Sequence, residues 1–84
     1  MTTADEVREY ALVAIVKPAR RRGKKTVSFS CADVRKGMGL QSYARLVCSA
    51  IDSHKFQGYA SVALIGRSGK KETNSYSWVF KLVG

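Results

Sequence analysis

Four runs along the chain have the length and hydrophobic pattern of β-strands, at residues 10–16, 26–31, 59–65 and 76–83. The first and third runs are almost continuously apolar, which is typical of strands buried on both faces. The second and fourth alternate between apolar and polar residues, as strands do in a sheet with one buried and one solvated face. The pattern therefore predicts two antiparallel hairpins, each made of two strands that are neighbours in sequence.

A single amphipathic helix is predicted between the two hairpins, at residues 40–54. Its apolar residues recur at helical spacing and comprise Leu40, Tyr43, Ala44, Val47, Ala50, Ile51 and His54. His54 is expected at the C-terminal end of this helix, where a positive charge suits the helix dipole. Near the start of the chain, Thr3 and Glu6 have the spacing of a capping box, which predicts a short helix before the first strand.

The predicted fold is therefore a single α+β domain of type ββαββ covering residues 1–84, with two antiparallel β-hairpins in one sheet and the amphipathic helix packed on one sheet face. One helix covers only one face of a four-stranded sheet. The first and third predicted strands nevertheless have apolar residues at both odd and even positions, which point to opposite faces, for example Leu12 and Val13 in the first strand. A second dry surface is expected, which predicts a homodimer formed through the opposite sheet face or across a sheet edge.

The chain is strongly basic, with 15 Lys and Arg residues against 6 Asp and Glu residues and a formal net charge of +9. Most of these cations fall in the two loops that close the predicted hairpins, residues 17–25 and 66–75. They are Lys17, Arg20, Arg21, Arg22, Lys24, Lys25, Arg67, Lys70 and Lys71. With the hairpins side by side, both loops are expected at the same end of the sheet. Like charges at this density repel one another, and a polyanion relieves that repulsion.

This clustering predicts a non-enzymatic protein that binds nucleic acid through the phosphate backbone, largely independently of sequence and with DNA favoured over RNA. Two aromatic residues of the last strand, Tyr76 and Trp78, have two interpretations. They form a base-stacking platform for single strands if their rings are exposed, and part of the core if the rings point under the helix. The alternation of Trp78 with Ser77 and Val79 favours the core.

Residues able to carry catalysis or to bind a metal are few. The chain has one histidine, His54, and two cysteines, Cys31 and Cys48, whose spacing matches no zinc module. The acidic residues form no pair placed for general acid–base catalysis. Residues 66–71 are rich in glycine and cations but lack the spacing of a phosphate-binding loop. The sequence predicts no enzymatic activity, no cofactor, no metal and no small-molecule substrate.

A second interpretation is a structural or interaction subunit, such as a ribonucleoprotein or virion component, whose cations dock on an acidic protein partner. Saturable binding to one acidic protein, without binding to nucleic acid, would favour it. No membrane-spanning segment is expected, because the apolar runs are far shorter than the roughly 18 residues that span a bilayer. Association with a membrane surface is not favoured either, because the cations are predicted on hairpin tips and not on an amphipathic helix. The acidic start of the chain and the two cysteines predict no export signal, reduced thiols and a cytoplasmic or nucleoid-associated location.

Overall fold

The computed structural model describes residues 3–40, 42–70 and 73–83, which form an α+β fold. In chain order the elements are α1 (Ala4–Ala11), a π-helical segment (Leu12–Val16), α2 (Lys17–Arg21), β1 (Thr26–Ser30), α3 (Cys31–Gly37), α4 (Ala44–Ile51), α5 (His54–Ala60), β2 (Val62–Ser68) and β3 (Ser77–Leu82). The described residues contain three strands and one hairpin. The predicted ββαββ arrangement, with two hairpins and one helix, is therefore wrong.

Residues 10–16 are helical and not a strand. They belong to a continuous helix, called the first helix below, in which α1, the π-helical segment and α2 follow one another without a break. The predicted capping box at its start is confirmed. The Thr3 hydroxyl accepts from the Glu6 backbone N–H at 3.2 Å, and the Glu6 carboxylate accepts from the Thr3 N–H at 3.1 Å. The first helix runs from Ala4 to Arg21, so it is much longer than the short helix predicted there.

The π-helical segment is placed directly before Pro18, which lies inside the first helix. Proline has no N–H to donate to the carbonyl of Ala14, and its ring crowds that carbonyl in a regular α-helix. In the π-helical segment the Lys17 N–H donates to the carbonyl of Leu12, one residue further back than in an α-helix. We attribute the wider turn to this proline, because it lets the helix continue past Pro18 into α2.

The sheet has the strand order β1-β3-β2, with both pairs antiparallel. In the register, Thr26 lies opposite Lys81 and Ser30 opposite Ser77. One sheet face packs against the helices, and the alternation predicted for residues 26–30 and 77–82 holds there. Phe29, Trp78 and Phe80 are buried on that face, whereas Ser28, Val79 and Lys81 are exposed on the other. The structure is thus a helical layer on one side of a sheet whose other side is open.

Aromatic rings from the sheet and from α5 form the centre of the core. Trp78 is fully buried, which confirms its prediction as a core residue, and its ring centroid lies 5.6 Å from that of Phe29. Phe80 contacts Phe56 of α5 edge to face at 5.4 Å. Such aromatic pairs contribute roughly 0.5–1.5 kcal/mol beyond the burial of their area. These contacts fix the helical layer on the sheet.

The single helix predicted at residues 40–54 is in fact two helices, α4 and part of α5. The break between them depends on Ser53, whose hydroxyl donates to the Ala50 carbonyl at 2.8 Å and accepts from the Phe56 N–H at 3.3 Å. A serine N-cap of this kind starts a new helix. His54 is therefore the first residue of α5 and not the C-terminal cation of α4.

The expected second dry sheet surface loses one of its two supports, because the first predicted strand is helical, whereas residues 62–65 of the third are in β2. The open sheet face carries Thr26, Ser28 and Lys81 together with the exposed apolar residue Val79. Dimerisation itself stays a prediction. Among the described residues, no helix is both long enough and apolar enough to cross a membrane.

Candidate nucleic-acid interface

The basic segment 17–25 is the end of a helix followed by a turn, and not the tip of a hairpin. Lys17, Arg20 and Arg21 lie in α2. Beyond it, the Gly23 N–H donates to the Arg20 carbonyl and the Lys24 N–H to the Ala19 carbonyl, both at 3.0 Å. Gly23 has φ of +73°, the left-handed conformation that favours glycine where helices end. The helix end thereby directs residues 24 and 25 into β1.

Arg20 has a structural role within this basic segment. Its guanidinium donates to the carbonyls of Ala60 at 2.9 Å, Ser61 at 2.6 Å and Val83 at 2.9 Å. The first two carbonyls lie at the C-terminal end of α5, where the last helical carbonyls have no partner within the helix. Arg20 therefore joins the first helix to α5 and to the end of β3, and it is not free to contact a ligand.

Four exposed cations cluster where the first helix ends and β1 begins, and we call this cluster the basic corner. It consists of Arg22, Lys24, Lys25 and Lys81. Lys24, Lys25 and Lys81 line one shallow hollow of about 340 Å³. They meet there because the Leu82 N–H donates to the Lys25 carbonyl at 2.9 Å, which holds the end of β3 beside the turn. Arg22 shares a neighbouring groove with Lys24.

This neighbouring groove, of about 580 Å³, runs between the first helix and the open edge of β1. Its walls include Tyr10, Ala14, Pro18, Arg22, Thr26 and Ser28. The Lys25 carbonyl accepts from the Leu82 N–H of β3, and the Cys31 N–H donates to the carbonyl of Tyr76, directly before β3. Main-chain groups alternate along an antiparallel strand, so those of Thr26 and Ser28 point away from β3 towards the groove. They can donate to and accept from a bound ligand.

Among the described residues, no acid forms an ion pair with the basic corner. The ion pairs within 4.0 Å among the described residues involve Arg8, Lys55 and Arg67, and none involves a residue of the basic corner. Asp33, at the far end of the groove, is the acid that lines it. The positive ends of Arg21 and Arg22 also lie near the negative C-terminal pole of the helix, which offsets part of their repulsion. An anion would offset more of it.

The second basic loop lies at the other end of the sheet, so the prediction that both loops share one end is wrong. The β2–β3 hairpin closes beside Ser68 and Ser77, opposite the Ser30 end of β1, whereas the basic corner lies at the Thr26 end. The five-residue length of β1, roughly 17 Å, separates the two loops.

Arg67 in this hairpin is already paired. It donates to the Asp52 carboxylate at 2.6 Å, a hydrogen bond that raises the pKa of Arg67. Lys70 is exposed, and Lys71 lies outside the described residues. Of the cations predicted in the second loop, the structure therefore leaves Lys70 available to a ligand, away from the basic corner.

The two aromatic residues for which a base-stacking platform was one of two interpretations, Tyr76 and Trp78, are buried. Trp78 is 0% exposed and Tyr76 is 6% exposed, so neither ring is accessible to a nucleobase. The Tyr76 hydroxyl donates to the Asp52 carboxylate at 3.5 Å, and burial raises the pKa of this phenol. Both rings therefore belong to the core, beneath the helical layer.

Both cysteines are buried thiols. The Cys31 thiol donates to the Ala44 carbonyl at 3.5 Å, and burial raises its pKa. A raised pKa keeps the group as the less reactive thiol. In the part of the chain that the structure describes, no three His, Cys, Asp or Glu side chains are grouped so that they could hold a metal ion.

Lys81 is the residue of the basic corner that sequence reasoning did not assign to a site. It alternates with Trp78 and Phe80 in the last strand and therefore lies on the same side of the strand as Ser77 and Val79. This alternation predicts an exposed side chain on the open sheet face. The sequence does not show that β3 lies between β1 and β2, which is what brings Lys81 beside Lys24 and Lys25.

Comparison with known protein families, with curated proteins and with solved structures finds no match to this chain. The basic corner, the groove and the open sheet face are therefore the features from which a function can be inferred.

Proposed function

We propose that this chain is a non-enzymatic protein that binds nucleic acid largely independently of sequence, with DNA favoured, through the phosphate contacts of the basic corner. The observation that supports the proposal most is the grouping of Lys24, Lys25 and Lys81 around one shallow hollow, with Arg22 in the neighbouring groove. None of the four forms an ion pair with an acid among the described residues. A protein in this role acts where nucleic acid is present, in the cytoplasm or on the nucleoid.

Phosphate neutralisation supplies the binding energy in this proposal. Each Lys or Arg that neutralises a phosphate releases condensed counterions, so the logarithm of affinity falls with the logarithm of salt by about 0.9 per contact on duplex DNA. Four contacts give a slope of about −3 to −4. Gly23 lies among the cations without a side chain of its own, which leaves the backbone open to a close phosphate.

The burial of Tyr76 and Trp78 removes base stacking on these two rings as a source of affinity. Stacking on aromatic rings is what gives many single-strand binders their preference for unpaired bases. Contacts to phosphates alone carry no sequence information. The proposal therefore predicts similar affinities for duplexes of unrelated sequence and no gain from unpaired bases.

The test is fluorescence anisotropy with labelled duplex and single-stranded oligonucleotides of unrelated sequence, repeated over a salt series. The informative variant is Arg22→Gln/Lys24→Gln/Lys25→Gln, and the control is Lys36→Gln/Lys55→Gln/Lys70→Gln, which removes the same charge from exposed positions elsewhere. We expect the first variant to lose at least about tenfold in affinity and about 3 in salt slope. Equal losses in the two variants would show diffuse attraction, and no binding of the wild type at low salt would exclude the proposal.

A second candidate function is docking of an acidic protein segment, as in a structural or interaction subunit. The open edge of β1 favours it, because Thr26 and Ser28 present main-chain groups to a groove flanked by Arg22 and Lys24. An extended segment can add a strand to such an edge, and acidic side chains would meet the flanking cations. Binding of the wild type to one acidic protein, with no binding to oligonucleotides, would support this candidate over the first.

A further inference from the structure

The exposed side of the first helix carries a charge pattern that is antisymmetric about its middle. Asp5, Glu9, Val13, Lys17 and Arg21 follow one another at four-residue spacing, and all five are exposed. Acids precede Val13 and cations follow it. Val13 is 50% exposed, which is high for a valine near the middle of a long helix.

The five residues stay on one side of the helix partly because of the π-helical segment. In a regular α-helix, a row at four-residue spacing drifts by about 40° per step around the axis. A π-helical turn contains more residues, so across Leu12–Val16 the row drifts in the opposite sense and part of the deviation is cancelled. The buried row of the same helix, Val7, Ala11, Val16 and Ala19, faces the core.

A second copy of this chain is the partner whose charges match the pattern. If two copies of the helix pack antiparallel about a two-fold axis at Val13, Glu9 of each copy faces Lys17 of the other. The same axis places Asp5 opposite Arg21. A parallel arrangement would instead place like charges opposite each other, so the pattern specifies the antiparallel orientation.

An apolar groove beside Val13 provides the contact at the centre of such a pair. The groove has a volume of about 460 Å³ and is lined by Glu6, Glu9, Tyr10, Val13, Ala14 and Met38. The small side chain of Ala14 allows a partner helix to approach closely. Val13 of the second copy can enter the groove while Val13 of the first copy enters the corresponding groove opposite, as an isologous interface requires.

The charged residues of the row are free enough to pair across such an interface. Among the described residues, Glu9, Lys17 and Arg21 take part in none of the ion pairs within 4.0 Å. Asp5 contacts Arg8 at 2.7 Å and Lys55 at 3.7 Å, but its side chain is 77% exposed and can accept a further cation. The central pair of Glu9 and Lys17 therefore dominates the recognition.

We propose that the chain forms an antiparallel two-fold dimer through the exposed row Asp5, Glu9, Val13, Lys17 and Arg21 of its first helix. This surface differs from the sheet face and sheet edge expected from the sequence. The inference does not depend on nucleic-acid binding. If both hold, the dimer carries one basic corner near each end of the helix pair, and two linked sites raise the avidity for a long polyanion.

Charge reversal tests the proposal by sedimentation velocity without nucleic acid, over protein concentrations of about 1 to 200 µM. The wild type is expected to dimerise in this range. Glu9→Lys and Lys17→Glu each place like charges opposite each other in both halves of the interface, so each variant alone should dimerise at least about tenfold more weakly. Mixed one to one, the two variants regain opposite charges at both contacts and should form a heterodimer of near wild-type affinity. The double variant Glu9→Lys/Lys17→Glu should dimerise with itself again.

A matched pair of variants locates the interface. Val13→Arg places a cation at the two-fold axis and should abolish the dimer, whereas Ile65→Arg makes the same change at an exposed apolar residue of β2 and should leave it intact. Circular dichroism and the emission of Trp78 verify that each variant is folded. A wild type that stays monomeric at the highest concentration would overturn the proposal. So would single reversals that dimerise like the wild type, a mixture that fails to recover, or a dimer lost in Ile65→Arg and kept in Val13→Arg.

Discussion

Three arginines that are adjacent in sequence have three different environments. Arg20 is held by the carbonyls of Ala60, Ser61 and Val83, Arg21 is exposed on the outer side of the first helix, and Arg22 lines the groove beside β1. Successive residues of a helix point about 100° apart, which separates the three side chains. The sequence predicts their charge but not the direction of each one, because that depends on where the helix packs.

The first prediction concerns the structural role of Arg20. We expect Arg20→Ala to lower the free energy of unfolding by about 2–3 kcal/mol, because hydrogen bonds from a charged donor contribute roughly 1.5–3 kcal/mol and three carbonyls lose their donor together. Water replaces part of this loss at the more exposed carbonyls. Urea denaturation followed by the emission of Trp78 measures the change.

Arg21→Ala is the control for this prediction, since it removes the same charge from an exposed position. Both variants are compared at a protein concentration below the range proposed for dimerisation, so that contacts of Arg21 with a second copy do not contribute. Its effect should stay within about 0.5 kcal/mol. When conditions keep Arg20→Ala folded, its affinity for nucleic acid should change far less than that of a variant lacking Lys24 and Lys25. Equal stability of the two arginine variants would remove the assigned role of Arg20.

At the scale of elements, alternating patterns predicted strands correctly, whereas continuous apolar runs did so only in part. Of the strand predicted at residues 59–65, residues 62–65 lie in β2 and residues 59–60 end α5. Residues 26–30 and 77–82 alternate, and both are strands. The run 10–16 is apolar throughout, a pattern that fits a buried strand and a buried helical segment equally well. The capping box of Thr3 and Glu6 marked the beginning of the first helix correctly. The end of the first helix was not predictable in the same way. Pro18, which would ordinarily indicate a helix end, lies within the helix, and Gly23 is the first residue whose conformation ends it.

The β2–β3 hairpin provides the second prediction. Gly69 has φ of +85°, and a Cβ atom added there would collide with the backbone carbonyl of Ser75. Both the left-handed conformation and the close backbone require glycine. Gly69→Ala should therefore lower the free energy of unfolding by about 1–3 kcal/mol, measured by urea denaturation.

Gly66→Ala is the matched control, because Gly66 lies in β2 with open space around its Cα and without a positive φ. It should be neutral or slightly stabilising, since glycine weakens a strand interior. The hairpin loop lies at the end of the sheet away from the basic corner. A folded Gly69→Ala protein should therefore bind nucleic acid like the wild type, and a selective loss of affinity would instead place this loop in the binding site.

At the scale of the whole molecule, strand order decides which charges meet. The sequence showed a basic chain with two basic loops, and neighbouring strands in sequence were expected to be neighbours in the sheet. The order β1-β3-β2 instead places the last strand in the middle. It brings Lys81 to Lys24 and Lys25 and moves Lys70 to the opposite end. These are long-range pairings between segments distant in sequence, and local patterns carry no information about them.

The third prediction concerns the stability of the whole fold at alkaline pH. Burial of the Cys31 thiol raises its pKa above the ordinary value of 9.0, and hydrogen bonding to Cys48 and the charge of Arg35 lower it only in part. Tyr76 shows the same direction, because burial and the nearby Asp52 carboxylate raise the pKa of its phenol above 10.0. In both cases the folded chain holds the proton more tightly than the unfolded chain does.

The sign of the effect follows from proton linkage. A group whose pKa is raised on folding contributes its full stabilisation below the pKa of the unfolded chain, and this contribution is lost as the pH rises through the pKa of the folded chain. The free energy of unfolding should therefore be constant with respect to Cys31 up to about pH 9 and then fall, by no more than about 1.4 kcal/mol per pH unit for one group. Urea denaturation from pH 7 to pH 10 measures this change in the free energy of unfolding.

Other groups titrate in the same range, so the decisive quantity is the difference in the free energy of unfolding between the wild type and Cys31→Ala at each pH. This difference should shrink above pH 9, and a difference that stays constant would show that the Cys31 thiol ionises as readily in the folded protein as in the unfolded chain.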